Sequence, residues 1–371
     1  MPEVVDWALA ERIAVRATGR EPLADSYLSE SLAADFAEFT AQAEALVEAE
    51  TGLVSLAGPA TGQVTDRAGW VRANIASFRR LLAPVADRFG GRVAGPSAMV
   101  MRSVAALEVG MLLGWMSGRV LGQYDLLVAG DDPEEDEGEA GDPEHGDPAH
   151  GDVVYYVGPN VLSLEKKFGF PPREFRLWLA LHEVTHRAQF TGVPWMREHY
   201  HSLIDDMLGS AGLDPMTLVN ALKRAVDEVR SGRSPMADGG IAHLLASPEQ
   251  RQVLDQIGGL MSLLEGHGDI TMNRAGIGHV PSADRFDRVL KQRRASTNPL
   301  QRFVQRLLGL EAKMNQYQQG EDFIEEVERL AGGKAGIEPA WRGPSWLPTL
   351  AEIREPEEWV ERVRLSEELV S

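Results

Sequence analysis

The sequence predicts a mainly α fold with a short strand or small sheet beside one chemically distinctive helix. Three observations carry that expectation. Apolar residues recur at helical spacing through most of the chain. Prolines stand at or just before the start of several such segments, where first-turn geometry tolerates them. One β-branched and aromatic run, Val153-Val154-Tyr155-Tyr156-Val157, breaks the helical pattern just ahead of that helix.

Trp7 to Thr18 is an amphipathic pattern closed by Gly19. Leu28 to Glu50 keeps helical spacing and stops before Gly52. Asp66 opens a helix that runs to Phe89 and ends at Gly90 and Gly91. Pro96 to Gly122 is apolar on most faces, with Gly110, Gly114 and Gly118 aligned on one of them. That pattern predicts a buried central helix onto which another helix packs closely. Arg102, Glu108 and Arg119 interrupt it, so it makes a poor membrane span. After the strand, Gly158-Pro159-Asn160 reads as a stop. Helices are then expected over 173–190, 194–208, 216–230, 248–275, 299–319, 322–331 and 355–370.

The chain has 371 residues, a net charge of -19 and no cysteine. Disulfides, thiolate metal sites and cysteine nucleophiles are therefore excluded. Asp131 to Asp152 holds eleven acidic residues and neither Lys nor Arg, which leaves -8 on the rest. That balance favours solubility and disfavours nucleic-acid binding. The acidic run has no large apolar residue to anchor a core and reads as a solvated loop; His145 and His150 within it could hold a metal only loosely. The first residues, MPEVVDWALAERIAV, lack a basic run ahead of an apolar one, so a cytoplasmic protein is expected. Three segments follow: an N-terminal helical region over 1–127, the acidic low-complexity loop over 128–152, and the region that carries the chemistry over 153–371, the first and last forming one compact unit.

That chemistry centres on Leu181-His182-Glu183-Val184-Thr185-His186, an H-E-x-x-H pattern among helix formers. Residues four apart project from one helix face on successive turns, so His182 and His186 can grip one Zn²⁺. A metal lowers the pKa of the water it binds, and Glu183 stands where a general base would take that water's proton. The plainer reading, a surface histidine pair, fits poorly with Leu179, Ala180, Leu181 and Val184 around it. The extended motif would place a third histidine nearby, but Gln189 and Gly192 hold its positions. A third ligand is therefore sought in Met261-Ser262-Leu263-Leu264-Glu265-Gly266-His267-Gly268-Asp269. There Glu265 is the preferred ligand, and Asp269, one turn on, would accept the N–H of a ligand imidazole. Gly266 and Gly268 would let this helix approach the H-E-x-x-H helix closely. His267 is the competitor, and it points away from Glu265 on a regular helix.

These residues resemble those of the gluzincin branch of zinc peptidases, in which a glutamate on a second helix completes the site and an aspartate one turn on supports a histidine. The segments HEVTHRAQF, MSLLEGHGDITM, GRVLGQYD ending at Asp125 and KMNQYQQGEDF from Lys313 are similar to an actinobacterial and chloroflexal family of zincin-like hydrolases, also labelled as associated with deazaflavin coenzyme biosynthesis. That resemblance covers most of the chain. It implies a largely helical zincin-like metallopeptidase architecture and a metallohydrolase whose substrate the resemblance does not specify; a peptide or a small amide is the expected substrate.

Zincins often bind an extended substrate along a strand upstream of the metal helix, and Val153–Val157 is placed to be that edge strand or else a short structural one. Tyr317, His267, His279 and Tyr200 have the chemistry to donate to an oxyanion. His199 and His201 lie two apart and share no helix face, so they form no second metal pair. The expected activity is zinc-dependent hydrolysis, with peptide cleavage foremost. A non-peptidase amide hydrolase and a zinc-binding but silent scaffold are the alternatives.

Overall fold

A computed structural model describes residues 5–21, 23, 26–90, 96–124, 152–209, 248–295 and 310–370. The acidic run up to residue 151 and the helix expected over 216–230 lie outside the described residues. The chain divides into two units, Met1–Ala188 with Arg274–Phe286, and Gln189–Asn273 with Asp287–Ser371. No helix among the described residues is long and apolar enough to cross a membrane.

The first unit begins with α1 (Trp7–Ala17) and α2 (Leu32–Thr51). The Asp6 side chain caps α1 by accepting the Leu9 N–H at 2.9 Å. Gly52, at φ +71°, ends α2 in the left-handed conformation that glycine adopts without strain. Then come β1 (Thr61–Thr65), α3 (Arg67–Gly90), α4 (Pro96–Ser117), β2 (Gly122–Tyr124), β3 (Val153–Val157), α5 (Gly158–Phe168) and α6 (Pro172–Gly192). The glycine stripe of α4 does what its spacing predicts. A Cβ on Gly110 would stand 2.6 Å from the Ala10 carbonyl, and one on Gly114 2.5 Å from the Ala17 Cβ, so α1 lies directly against α4. The expectation of burial on most faces of α4 is corrected, however: Met99, Val100, Val104, Leu107 and Met111 are all exposed.

The sheet has the order β1-β3-β2, with β1 parallel and β2 antiparallel to β3. Thr61 pairs with Val153, and Gly122 with Tyr156. The strand foreseen as an edge is therefore the central one, and its main chain is engaged on both sides. Its composition agrees with that place: Val154, Tyr155, Tyr156 and Val157 are all buried, as a run covered on both faces requires. The Gly158-Pro159 pair does not end the structure there. It opens α5 directly, because a proline in the first turn lacks only an N–H that the helix would not use.

The second unit holds the end of α6 and then α7 (Met196–Gly209), α8 (Pro248–Ala275), most of α9 (Ala283–Ala295), α10 (Leu310–Ala331), α11 (Leu350–Arg354) and α12 (Pro356–Val370). A core of Leu263, Ile270, Phe323, Ile324, Val327, Ile353 and Trp359 joins α8 to the last three helices. Glycine sets how near they come. A Cβ on Gly266 would stand 2.2 Å from the Gly320 carbonyl carbon, and one on Gly320 would stand 1.9 Å from the Ser262 oxygen. So Gly266 serves the approach of α8 to α10, not the approach to α6 that the sequence suggested. The same contact explains why α10 runs unbroken through Gly320, where two helices were expected.

Gly320→Ala should lower stability by about 1–3 kcal/mol, because the intruding atom meets backbone that cannot rotate away. Denaturant unfolding measures it, and an unchanged midpoint would refute the close contact.

Candidate metal centre

Helix α6 is apolar around most of its circumference, and Phe175, Leu177, Leu179, Ala180, Leu181, Val184 and Ala188 are all buried. Two buried arginines anchor it. Arg176 donates to Glu165 at 2.8 and 3.0 Å and to Ser31 Oγ at 2.8 Å, and it pairs with Asp35. Arg187, beside His186, donates from Nε to both oxygens of Asp152 at 3.0 and 3.1 Å, and to Glu44 and the Gly58 carbonyl at 2.6 Å each. Buried charges tolerate this setting only when paired and hydrogen-bonded, and these are. The arginines lie eleven residues apart, three turns along one face, and together they fix the rotation of α6 about its axis.

That rotation sets where the histidines point. His182 Nε2 and His186 Nε2 stand 3.2 Å apart, with the rings 86° from coplanar. Two nitrogens each 2.0–2.1 Å from one zinc would be separated by such a distance at an angle of about 100° at the metal. Glu265 of α8 joins them: one ligand atom from each of His182, His186 and Glu265 lies within 4.8 Å of the other two. All three side chains are half-buried amid fully buried neighbours. Two imidazoles and one carboxylate are a donor set that suits zinc and leaves a fourth position open. Among the described residues this is the one such cluster of His, Asp and Glu.

Glu183 is buried beside it. Its side chain lies along β2, one of the two outer strands: a Cβ on Gly122 would come within 2.7 Å of Glu183 Oε1 and Cγ. The neighbouring phenol of Tyr156, which shares a hydrogen bond with Thr40 Oγ1 at 2.9 Å, has its pKa pushed up by burial, with the Glu183 carboxylate adding to the shift. Asp269 is buried one turn beyond Glu265 on α8.

His267 is buried elsewhere on α8. Its Nδ1 lies 2.9 Å from Gln189 Nε2, and its ring meets Trp341 edge-on at 4.9 Å. Tyr200 packs on Phe190 at 5.7 Å, and burial raises its pKa. His279 is exposed on the turn after α8. His199 faces the Trp195 ring while His201 lies by Tyr200, so the two do not form a pair. Tyr317 falls on α10 at a position whose side chain lies outside the described residues. Three residues of this neighbourhood were not foreseen in their roles. Arg187 is visible afterwards as a charge in an apolar helix pattern. Gly122 left no local signal. Gln189 stands out in the sequence only as a departure from the glycine of the extended motif.

The profile of a family described as zincin-like metallopeptidase matches residues 5–360. A solved structure from Chloroflexus aurantiacus, described as a "putative hydrolase with a novel fold", superposes with a TM-score of 0.68 at 29% identity, covering 97% of this chain and 99% of that one. No protein of curated function matches.

Gly122→Ala should leave the fold intact, because the flexible Glu183 side chain can yield. The displaced carboxylate should cost at least about tenfold in any hydrolytic turnover, at unchanged metal content. Wild-type turnover in this variant would show that Glu183 does not work from the place it occupies.

Proposed function

The chain belongs to the zincin-like metallopeptidase family, and on that premise we propose that it is a zinc-dependent peptidase in which Glu183 is the general base. The observation that carries this reading is the cluster of His182, His186 and Glu265 beside the buried Glu183.

His182, His186 and Glu265 would hold the ion. Zinc, when bound, supplies a Lewis acid that acidifies water and polarises a carbonyl. Glu183 removes a proton from the attacking water and delivers it to the departing nitrogen. A carboxylate can do both because its two oxygens accept in turn, and its burial between α6 and β2 keeps bulk water from competing. Asp269, one turn from Glu265, would accept the N–H of a ligand imidazole and so hold its ring in place.

A peptide is favoured over a small amide by the sheet. Strand β2 is one of the two outer strands of the sheet among the described residues, and Gly122 brings it against Glu183. An extended peptide pairing with that outer edge would pass the general base.

Glu183→Gln keeps the shape and removes the base. It should retain metal while turnover on a mixed peptide pool, followed by mass spectrometry, falls by roughly 10²–10⁴-fold. Cleavage of small amides but not peptides by the wild type would move the substrate class. Turnover unaffected by the substitution would refute the mechanism, and a wild type that binds metal yet cleaves nothing would point to the silent scaffold.

A further inference from the structure

Gln189 lies one turn beyond His186 on α6, and its amide nitrogen makes two contacts. It is 2.9 Å from the Leu264 carbonyl oxygen and 2.9 Å from His267 Nδ1. The first contact orients the amide, because a carbonyl has no proton to give and must face the –NH₂ rather than the amide oxygen. The second contact then follows from the first. An amide nitrogen only donates, so His267 Nδ1 must accept, and the neutral ring carries its proton on Nε2.

That assignment bears on the metal. To bind zinc through Nε2, His267 would need its proton on Nδ1, where it would face the Gln189 –NH₂, donor against donor. Binding through Nδ1 is blocked because the amide occupies it. Trp341, edge-on at 4.9 Å, limits rotation of the ring. The bond to Leu264, meanwhile, grips α8 at the residue just before Glu265.

We propose that Gln189 is a positioning residue of the metal centre. It holds the turn of α8 that presents Glu265, and it keeps His267 as the Nε2–H tautomer, so that the carboxylate and not the imidazole is the third ligand. The proposal rests on the metal-centre reading above.

The test reads the tautomer directly, by ¹⁵N correlation spectroscopy of the His267 ring in metal-free and zinc-loaded protein, with His267→Asn for assignment. A bare Nδ1 and a protonated Nε2 are expected in both. Gln189→Met keeps the size and removes both donors, and should weaken zinc binding, measured by chelator competition, by about 10–100-fold. Gln189→Glu turns the donor into an acceptor and should move the proton to Nδ1. A protonated Nδ1 in a zinc-binding wild type, or zinc binding of wild-type strength in a folded Gln189→Met protein, would overturn the proposal alone. If the variants fail to fold, the wild-type tautomer still decides. A wild type that takes up no zinc refutes the metal centre itself, a result distinct from a wrong tautomer.

Discussion

Two imidazole nitrogens stand 3.2 Å apart on one helix face, and with Glu265 they form the one group among the described residues that could hold a metal ion. Holding it demands a helix that neither rotates nor slides. The arginines of α6 supply that constraint, Arg176 bound to Glu165 and Asp35, Arg187 to Asp152, Glu44 and the Gly58 carbonyl. Pairs of this kind add little net stability, since the cost of desolvating them offsets most of the attraction. What they supply is a single orientation of the helix that carries His182, Glu183 and His186.

Glycines set the other distances. Gly110 and Gly114 bring α4 onto α1, and Gly266 and Gly320 bring α8 and α10 together. In each pair even one methyl group would collide with a neighbouring helix. Gly122 differs, because what it meets is the Glu183 side chain and not a structural backbone. Of the two outer strands, β2 is the one that borders Glu183, while the buried central strand holds the layer together.

Much of this was legible in the sequence, and the reasons differ by element. H-E-x-x-H announced its own geometry, because helical spacing alone puts His182 and His186 on one face. Glu265 and Asp269 could be picked out as carboxylates following an apolar run. The strand at 153–157 was found to the residue because β-branched and aromatic residues are dense there. Its place in the sheet was not, because its partners Thr61–Thr65 and Gly122–Tyr124 are short and polar or glycine-rich and carry no pattern of their own. Gly320 read as a helix break because only the approach of α8 explains it. Gln189 had no readable role until Leu264 and His267, far along the chain, were placed beside it.

The most direct measurement is the zinc content of the purified protein by mass spectrometry, beside His186→Ala and Glu265→Ala. The account predicts about one zinc per chain in the wild type and loss in both variants, with the fold retained. Zinc kept in Glu265→Ala would contradict the third ligand, and a wild type that binds none after reconstitution would contradict the metal centre as a whole.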